Sequence, residues 1–100
     1  STGLGQGVAI PHGRIKGLRE AVAALVTMKE AIPFDAPDGQ PVNIACILLV
    51  PEKATDKHLQ ILSELAQMFS DKQFRESLLH SKDAAEIHKL IVDWEPNVTN

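Results

Sequence analysis

The chain has 100 residues, 44% of them hydrophobic, which is enough for one compact domain with a hydrophobic core. Its net charge of -3, with ten basic residues spread along the sequence, argues against a nucleic-acid groove or a polybasic membrane surface. The single cysteine, Cys46, excludes an internal disulfide, and the longest apolar run is too short to cross a bilayer. We therefore predict a cytoplasmic protein without membrane insertion or nucleic acid, whose partners are proteins or small molecules.

Three apolar runs in the first half of the chain predict β-strands. They lie at residues 8–10, 21–28 and 42–50, and the third is the richest in β-branched residues. The second and third runs contain few polar residues, which predicts strands buried on both faces. Between them, residues 33–41 contain three prolines and an Asp-Gly pair, which predicts a loop.

After Pro51 the hydrophobic period becomes helical. The first predicted helix has apolar residues spaced i, i+3, i+7 and i+10: Leu59, Leu62, Ala66 and Phe69. Its predicted N-cap is Thr55 or Asp56. Capping-box signals, Ser70 with Gln73 and Asp83 with Glu86, precede two further helices. Strands early and helices late predict an α/β or α+β sandwich.

The least ordinary segment is GLGQGVAIPHGR at residues 3–14. It does not match the dinucleotide fingerprint, because Val8 stands three positions after Gly5. It does not match a nucleotide P-loop either, because Arg14-Ile15 occupies the place of Lys-Ser or Lys-Thr. The glycines allow positive φ and a close approach of the backbone to another group. From their spacing alone, the simplest interpretation is a tight turn before a strand.

Two of the four histidines stand in positions that suggest chemistry. His12 lies between Pro11 and Gly13, which predicts that it ends the first strand and presents its imidazole there, where open α/β sheets place ligands. His58 lies in the predicted first turn of the long helix. The remaining two are interpreted as half-exposed helix residues: His80 and His88.

Paired histidines are compatible with a metal site, a hydrolase or a phosphohistidine. The sequence has no Cys-x-x-Cys, His-Glu-x-x-His or Gly-x-Ser-x-Gly motif, and Cys46 lies in the middle of a predicted strand. We therefore predict neither a metal nor a cofactor. A phosphohistidine needs a neutral, exposed imidazole and donors for three phosphate oxygens. Backbone N–H groups of a glycine-flanked turn and a second imidazole meet that need.

Residues 3–14 closely resemble the active-site signature of the fructose/mannitol-type (type 2) enzyme IIA domains of the bacterial phosphoenolpyruvate-dependent phosphotransferase system. The resemblance continues in family order through four further segments: residues 32–35, 42–44, 48–51 and 55–59. Among the branches of the family, residues 1–5 and the loop at 34–41 look most like the nitrogen-regulatory branch.

The resemblance implies an α/β fold in which a mixed β-sheet is flanked by helices. It also implies that residues 1–100 form a single IIA domain that lacks its N-terminal segment. In the family that segment supplies a helix, part of the sheet and an arginine that assists the phosphoryl group. Arg14 is a conceivable substitute, and the activity of the chain alone is left open.

The resemblance further implies that His12 accepts a phosphoryl group on Nε2 (tele) from a histidine phosphocarrier protein, and that His58 lies beside it and stabilises the phosphate. Backbone around the phosphate is expected at four positions: Gly5, Gly7, Pro11 and Gly13. The two phosphorylation states would then regulate other proteins, in nitrogen- or potassium-linked control. Two alternatives stay open: a sugar-specific IIA component that passes phosphate to a permease IIB domain, and a non-catalytic interaction module.

Overall fold

The structure is a computed structural model that describes residues 3–53 and 56–96. Within these two ranges five strands precede three helices: β1 (Gly3–Gly5), β2 (Val8–Ala9), β3 (His12–Ile15), β4 (Val22–Ile32), β5 (Val42–Pro51), α1 (Asp56–Ser70), α2 (Lys72–Leu79) and α3 (Ala84–Asp93). All five strands belong to one mixed sheet with β5 at its centre. β2 and β3 are parallel to β5, β4 is antiparallel to it, and β1 is antiparallel to β2. The predicted α/β class with a mixed sheet is confirmed.

The chain divides into two compact units, Ser1–Gln60 and Ile61–Asn100. The first unit contains the whole sheet and the beginning of α1. The second contains the remainder of α1 with α2 and α3.

The core of the first unit is built on one face of β5. Every second residue of this strand is at most 3% exposed: Val42, Ile44, Cys46, Leu48 and Val50. The residues between them are half-buried, apart from Ile47, which is 40% exposed. Because successive side chains point to opposite faces of a sheet, β5 is fully buried on one face only. The prediction that this strand is buried on both faces is therefore wrong for its second face.

β4 is considerably more exposed than its composition predicts. The strand predicted at residues 21–28 is present and extends to Ile32, but Val22 is 50% exposed and Val26 is 42% exposed. Among the described residues β4 pairs with β5 alone, so it is an edge strand. Its predicted burial on both faces is wrong, because a β-favouring run specifies a strand but not which elements cover it.

The loop predicted between the second and third strands is confirmed, since residues 33–41 form no helix or strand. It contains a turn at Pro37 and Asp38, closed by a 3.1 Å hydrogen bond from Gly39 N to the carbonyl of Ala36, and Gly39 has a φ of 70°. That left-handed conformation is the reason for glycine at this position of the turn.

The helix caps agree in part with the sequence. Asp83 caps α3 as predicted, since its carboxylate accepts a 2.9 Å hydrogen bond from Glu86 N. The cap of α2 is Asp71 rather than Ser70, because the Asp71 side chain accepts from Phe74 N at 3.2 Å. Asp56 is the first residue of α1, and the alternative cap Thr55 lies outside the described residues.

An aromatic cluster forms the core of the second unit. The ring centroids of Phe69 and Phe74 are 6.0 Å apart, and Phe74 meets Trp94 edge to face at 6.4 Å. The indole N–H of Trp94 donates to the second carboxylate oxygen of Asp71 at 3.3 Å. One aspartate therefore caps α2 and holds the residue that ends α3.

Candidate functional site

The glycine segment forms a β-hairpin in which β1 and β2 are joined by Gln6 and Gly7. Three successive residues have positive φ: 86° at Gly5, 58° at Gln6 and 82° at Gly7. Tight hairpins favour such left-handed residues, because the backbone twist of the turn then matches that of the strands. The interpretation as a tight turn before a strand is confirmed, while β1 itself was not predicted, because three residues carry no readable hydrophobic period.

The hairpin glycines also make room for neighbouring parts of the chain. A Cβ atom on Gly7 would lie 2.8 Å from Asn43 Oδ1, and one on Gly5 would lie 3.1 Å from Asp38 Oδ2. Any side chain at Gly7 would therefore collide with the start of β5. These two glycines are required by the fold of the hairpin itself.

The carboxylate of Asp38 holds the turn of this hairpin. Its Oδ2 accepts a 2.7 Å hydrogen bond from Gln6 N, and its Oδ1 accepts one of 3.1 Å from Gln40 N. These two bonds, the one from Gln6 first, lower the pKa of Asp38 below its ordinary value, because they favour the ionised form. The N–H at the centre of the glycine turn thus binds an anion from within the chain. Whether Gly5 and Gly7 also contact phosphate stays a prediction.

β2 and β3 together behave as one strand interrupted at Pro11. In both, each residue pairs with the residue 36 positions later, as in Val8 with Ile44 and His12 with Leu48. Pro11 has no N–H to give to the ladder, but its carbonyl accepts a 2.9 Å hydrogen bond from Leu48 N. The prediction that His12 ends a strand is therefore corrected: His12 begins β3, because the proline breaks the ladder without shifting its register.

The imidazole of His12 is exposed, and its orientation is set by a backbone carbonyl. Nδ1 lies 3.2 Å from the carbonyl oxygen of Ile10, a residue only 2% exposed. A carbonyl oxygen can only accept a hydrogen bond, so this contact assigns the proton to Nδ1. Nε2 then carries the lone pair of the neutral ring and is the nucleophilic nitrogen.

His58 lies in the first turn of α1 and is 6% exposed, the one polar residue among the buried residues that the structure describes. It belongs to the same compact unit as His12. In the described part of the chain no fully buried side-chain nitrogen or oxygen lacks a hydrogen-bond partner, and the burial of His58 limits the orientations that its ring can adopt.

His80 and His88 lie in the second unit, and both are exposed rather than half-exposed. His88 is a helix residue as predicted, whereas His80 lies just beyond the end of α2. His80 caps the end of α2, where its Nδ1 donates a 2.7 Å hydrogen bond to the carbonyl of Glu76. An open groove of about 400 Å³ between α2 and α3 includes His80 and Lys89 in its lining. It contains neither His12 nor His58.

Of the two residues after His12, Arg14 is tied to another segment by a hydrogen bond, whereas Gly13 has no conformational or packing constraint. The guanidinium of Arg14 donates a 3.3 Å hydrogen bond to the carbonyl of Glu52, which ties β3 to the turn that follows β5. Gly13 has no positive φ, and a Cβ atom placed on it would meet nothing within 4 Å. In contrast to Gly7, Gly13 is not required by the fold of the described residues.

Cys46 is 3% exposed on β5, and burial raises the pKa of its thiol. A buried thiol with a raised pKa is a poor nucleophile at neutral pH. Within residues 3–53 and 56–96, no three His, Cys, Asp or Glu side chains are grouped so that they could hold a metal ion. None of the helices described there has the length and apolar character needed to cross a membrane.

Several known proteins are similar to this chain. Nitrogen regulatory proteins from Pseudomonas aeruginosa and Escherichia coli (strain K12) are 39% identical over 93 residues and 40% identical over 96 residues, which cover 93% and 95% of this chain. A fructose-specific EIIA component of the phosphotransferase system from Haloferax volcanii is 31% identical over 93 residues, or 93% of this chain. The chain spans about 60% of the length of these relatives, namely 60%, 59% and 60% in the same order.

The fold is also that of a solved relative. The crystal structure of nitrogen regulatory protein IIA-Ntr from Neisseria meningitidis matches with a TM-score of 0.85 and 54% sequence identity, covering 91% of this chain and 62% of that one. The family model described as "Phosphoenolpyruvate-dependent sugar phosphotransferase system, EIIA 2" matches residues 1–94. The chain that carries the exposed His12 and the buried His58 in one compact unit belongs to this EIIA 2 family of the phosphotransferase system.

Proposed function

We propose that this chain is a phosphoryl carrier that accepts a phosphoryl group on Nε2 of His12 from a histidine phosphocarrier protein. The observation that carries the proposal is the 3.2 Å contact between Nδ1 of His12 and the carbonyl of Ile10 on an otherwise exposed imidazole. This contact gives Nε2 the lone pair and fixes the plane of the ring before a donor arrives. Preorganisation of this kind removes orientational entropy from the barrier to transfer.

The transfer is an in-line displacement at phosphorus. The Nε2 lone pair forms a new N–P bond while the N–P bond of the donor phosphohistidine breaks, and the donor nitrogen keeps that electron pair. The His12 ring gains positive charge as the bond forms, and its Nδ1–H continues to donate to the Ile10 carbonyl, which stabilises this charge. The bonds and electron pairs of this step balance without a metal or a cofactor.

His58 is proposed to stabilise the phosphoryl group by donating a hydrogen bond to its oxygens. Its burial at the first turn of α1, within the same compact unit as His12, supports this role. A ring whose orientation is already limited by burial loses little entropy when it binds the phosphate. The backbone at Pro11 and Gly13 is proposed to lie beside the same phosphate, since both residues adjoin His12.

The phosphorylated and free forms are proposed to regulate other proteins in the manner of the nitrogen-regulatory branch. Identity favours this branch: nitrogen regulatory proteins are 35–40% identical to this chain and a nitrogen regulatory protein homolog is 33% identical. The IIA-Ntr structure is 54% identical, and the fructose-specific components are 30–31% identical. A sugar-specific component that passes phosphate to a IIB domain is the second candidate. Transfer of the labelled phosphoryl group from the phosphorylated chain to an added IIB domain would favour that candidate.

The test is phosphorylation by phosphoenolpyruvate, enzyme I and the histidine phosphocarrier protein. We expect label on the unchanged chain and none on His12→Ala. His58→Ala is expected to be labelled about 100-fold more slowly, the usual effect of removing one donor to a developing charge. The matched controls are His80→Ala and His88→Ala, which should be labelled at the normal rate. Equal labelling of His12→Ala would overturn the mechanism, whereas absence of label on the unchanged chain would favour a non-catalytic interaction module.

A further inference from the structure

The turn of the β1–β2 hairpin has a backbone conformation that needs support from outside the hairpin. Gln6 has a φ of 58° and is the one non-glycine residue with positive φ among those that the structure describes. A side chain in this left-handed region crowds the following carbonyl oxygen, so the conformation is unfavourable by itself. The neighbouring residues Gly5 and Gly7 carry no such penalty. A contact from another segment is therefore needed to hold Gln6 in place.

The loop between β4 and β5 supplies that contact. Oδ2 of Asp38 accepts a 2.7 Å hydrogen bond from Gln6 N at the centre of the turn, and Oδ1 accepts one of 3.1 Å from Gln40 N. An ionised acceptor makes a stronger hydrogen bond than a neutral one. The same loop packs on β1, since a Cβ atom on Gly3 would collide with the backbone at Asp35. One carboxylate thus joins the hairpin turn to the loop that leads into the central strand.

The turn is followed directly by the segment that orients His12. Residues 8–10 are at most 2% exposed and closely packed, so this segment moves as one piece rather than bending within itself. β2 pairs with β5 over only two residues, and Pro11 donates no hydrogen bond to the ladder. The placement of the segment therefore depends on the turn at one end and, at the other, on the Pro11 carbonyl, which accepts from Leu48 N at 2.9 Å.

The last residue of that segment makes the contact that assigns the tautomer of His12. The Ile10 carbonyl lies 3.2 Å from His12 Nδ1, at the long end of the usual range for an N–H···O hydrogen bond. A small shift of β2 away from His12 would lengthen this contact beyond hydrogen-bond distance. The proton of the neutral ring would then no longer be confined to Nδ1, and Nε2 would carry the lone pair in only part of the molecules.

We propose that Asp38 is a positioning residue for phosphoryl transfer: its carboxylate holds the hairpin turn, and the turn keeps the Ile10 carbonyl where it fixes the reactive tautomer of His12. This inference rests on the proposed function, since it concerns the nucleophile of that reaction. In this role Asp38 exchanges no proton and forms no bond with the phosphoryl group. It acts through the backbone between Gln6 and Ile10.

The ionisation of Asp38 suits this role. Its hydrogen bonds, the one from Gln6 first, keep the pKa of the carboxyl below its ordinary value. The group therefore remains a charged acceptor at neutral pH, where the transfer to His12 takes place.

The experiment compares Asp38→Ala and Asp38→Asn with the unchanged chain. Alanine removes both acceptor oxygens, whereas asparagine keeps one. The matched control is Asp83→Ala, because Asp83 is also exposed and accepts a hydrogen bond from a backbone N–H, but caps α3 in the second unit. Loss of a helix cap destabilises a protein, so this control shows what a general loss of stability does to His12.

Three properties of each protein are measured. Nitrogen NMR of the imidazole gives the share of neutral His12 that carries its proton on Nδ1, and amide hydrogen exchange at Gln6 N gives the opening of the hairpin turn. Both measurements use the unphosphorylated chain without a partner. Labelling by phosphoenolpyruvate, enzyme I and the histidine phosphocarrier protein then gives the maximal rate and the KM for the phosphocarrier.

We expect Asp38→Ala to speed exchange at Gln6 N about tenfold or more and to lower the share of His12 with its proton on Nδ1. The maximal labelling rate should fall about three- to tenfold, because the reactive tautomer and ring orientation are populated less. The KM should stay within about twofold, since the residues that meet the phosphocarrier are unchanged. Asp38→Asn should lie between Asp38→Ala and the unchanged chain, and Asp83→Ala should resemble the unchanged chain in all three measurements.

The positioning role and the proposed function can fail separately. An unchanged His12 tautomer in Asp38→Ala, or equal losses of rate in Asp38→Ala and Asp83→Ala, would refute the positioning role even if His12 is labelled normally. A changed tautomer in Asp38→Ala, with no label on His12 of the unchanged chain, would retain the control of the ring by Asp38 and refute the transfer. A raised KM with an unchanged maximal rate would refute positioning and assign Asp38 to recognition of the phosphocarrier.

Discussion

Glycines that look equivalent in the sequence have different physical roles around His12. Gly5 and Gly7 have positive φ values of 86° and 82° and pack against side chains from the later loop and from β5. Gly13 has neither constraint and adjoins the exposed imidazole. Because successive side chains of a strand point to opposite faces, the missing Cβ leaves open the backbone of Gly13 beside His12 rather than the face of the His12 ring. We therefore interpret Gly7 as a structural glycine and Gly13 as one that serves the approach of a partner.

Substitution of these two glycines by alanine should separate stability from transfer. Gly7→Ala is expected to lower the free energy of unfolding by about 1–3 kcal/mol, because a left-handed alanine is strained and its Cβ would collide with Asn43. Gly13→Ala should leave that free energy within about 0.5 kcal/mol and slow phosphorylation of His12. Urea unfolding and labelling rates check both expectations. A Gly13→Ala variant labelled at the normal rate would contradict the role given to Gly13.

The sheet explains why two similar apolar runs end in different environments. β5 has a partner strand on each side, and its row from Val42 to Val50 forms the core of the first unit. β4 is an edge strand, and Val26 on it remains 42% exposed. Both runs satisfy the same preference for β-branched residues. The contribution of each valine to stability therefore depends on its place in the sheet.

Replacement of valine by threonine should measure that difference, because the two side chains have nearly the same shape. Val50→Thr places a hydroxyl in a site that is 1% exposed and should lower the free energy of unfolding by about 1–3 kcal/mol. Val26→Thr, on the exposed edge strand, should change it by less than about 0.5 kcal/mol. Chemical denaturation of both variants measures the two changes in the free energy of unfolding. Equal losses of that free energy would mean that Val26 is buried in solution.

At the scale of the whole molecule, Cys46 reports on opening of the sheet. Its thiol lies in the central strand, is 3% exposed, and has a pKa raised by burial. Only an accessible thiolate reacts rapidly with iodoacetamide. Access to Cys46 therefore requires that β5 separate from its neighbours.

Iodoacetamide should consequently label Cys46 only as the protein unfolds. Labelling at pH 8 is expected to be very slow in buffer and to rise with urea along the unfolding curve measured by circular dichroism. Rapid labelling without urea would show that β5 is accessible in the native state.

Burial raises the pKa of the Cys46 thiol in the folded protein above its value in the unfolded chain. The contribution of this thiol to stability is therefore fully present below its ordinary pKa and is lost as the pH rises through the folded pKa.

The sequence by itself determined the family, the order of strands and helices, the loop and the two candidate histidines. These features depend on local patterns: hydrophobic period, cap residues, prolines, and the glycine segment around His12. Their physical causes act over a few residues, so they can be recognised without knowledge of the fold. The two strands that were not predicted, β1 and β3, contain one apolar side chain each and therefore show no such pattern.

Only the tertiary structure decided how distant residues complete the site. It places the carboxylate of Asp38 on the N–H of Gln6, 32 residues away, and keeps β2 and β3 in one register on β5 across Pro11. That register holds the segment with Ile10 and His12 beside the central strand, and the contact between the Ile10 carbonyl and the His12 imidazole selects the nitrogen that can act as a nucleophile. Burial depends on contacts between segments far apart in the chain, and the contact that assigns the tautomer joins residues two positions apart whose backbone is held by the pairing with β5. Local sequence patterns do not specify those contacts.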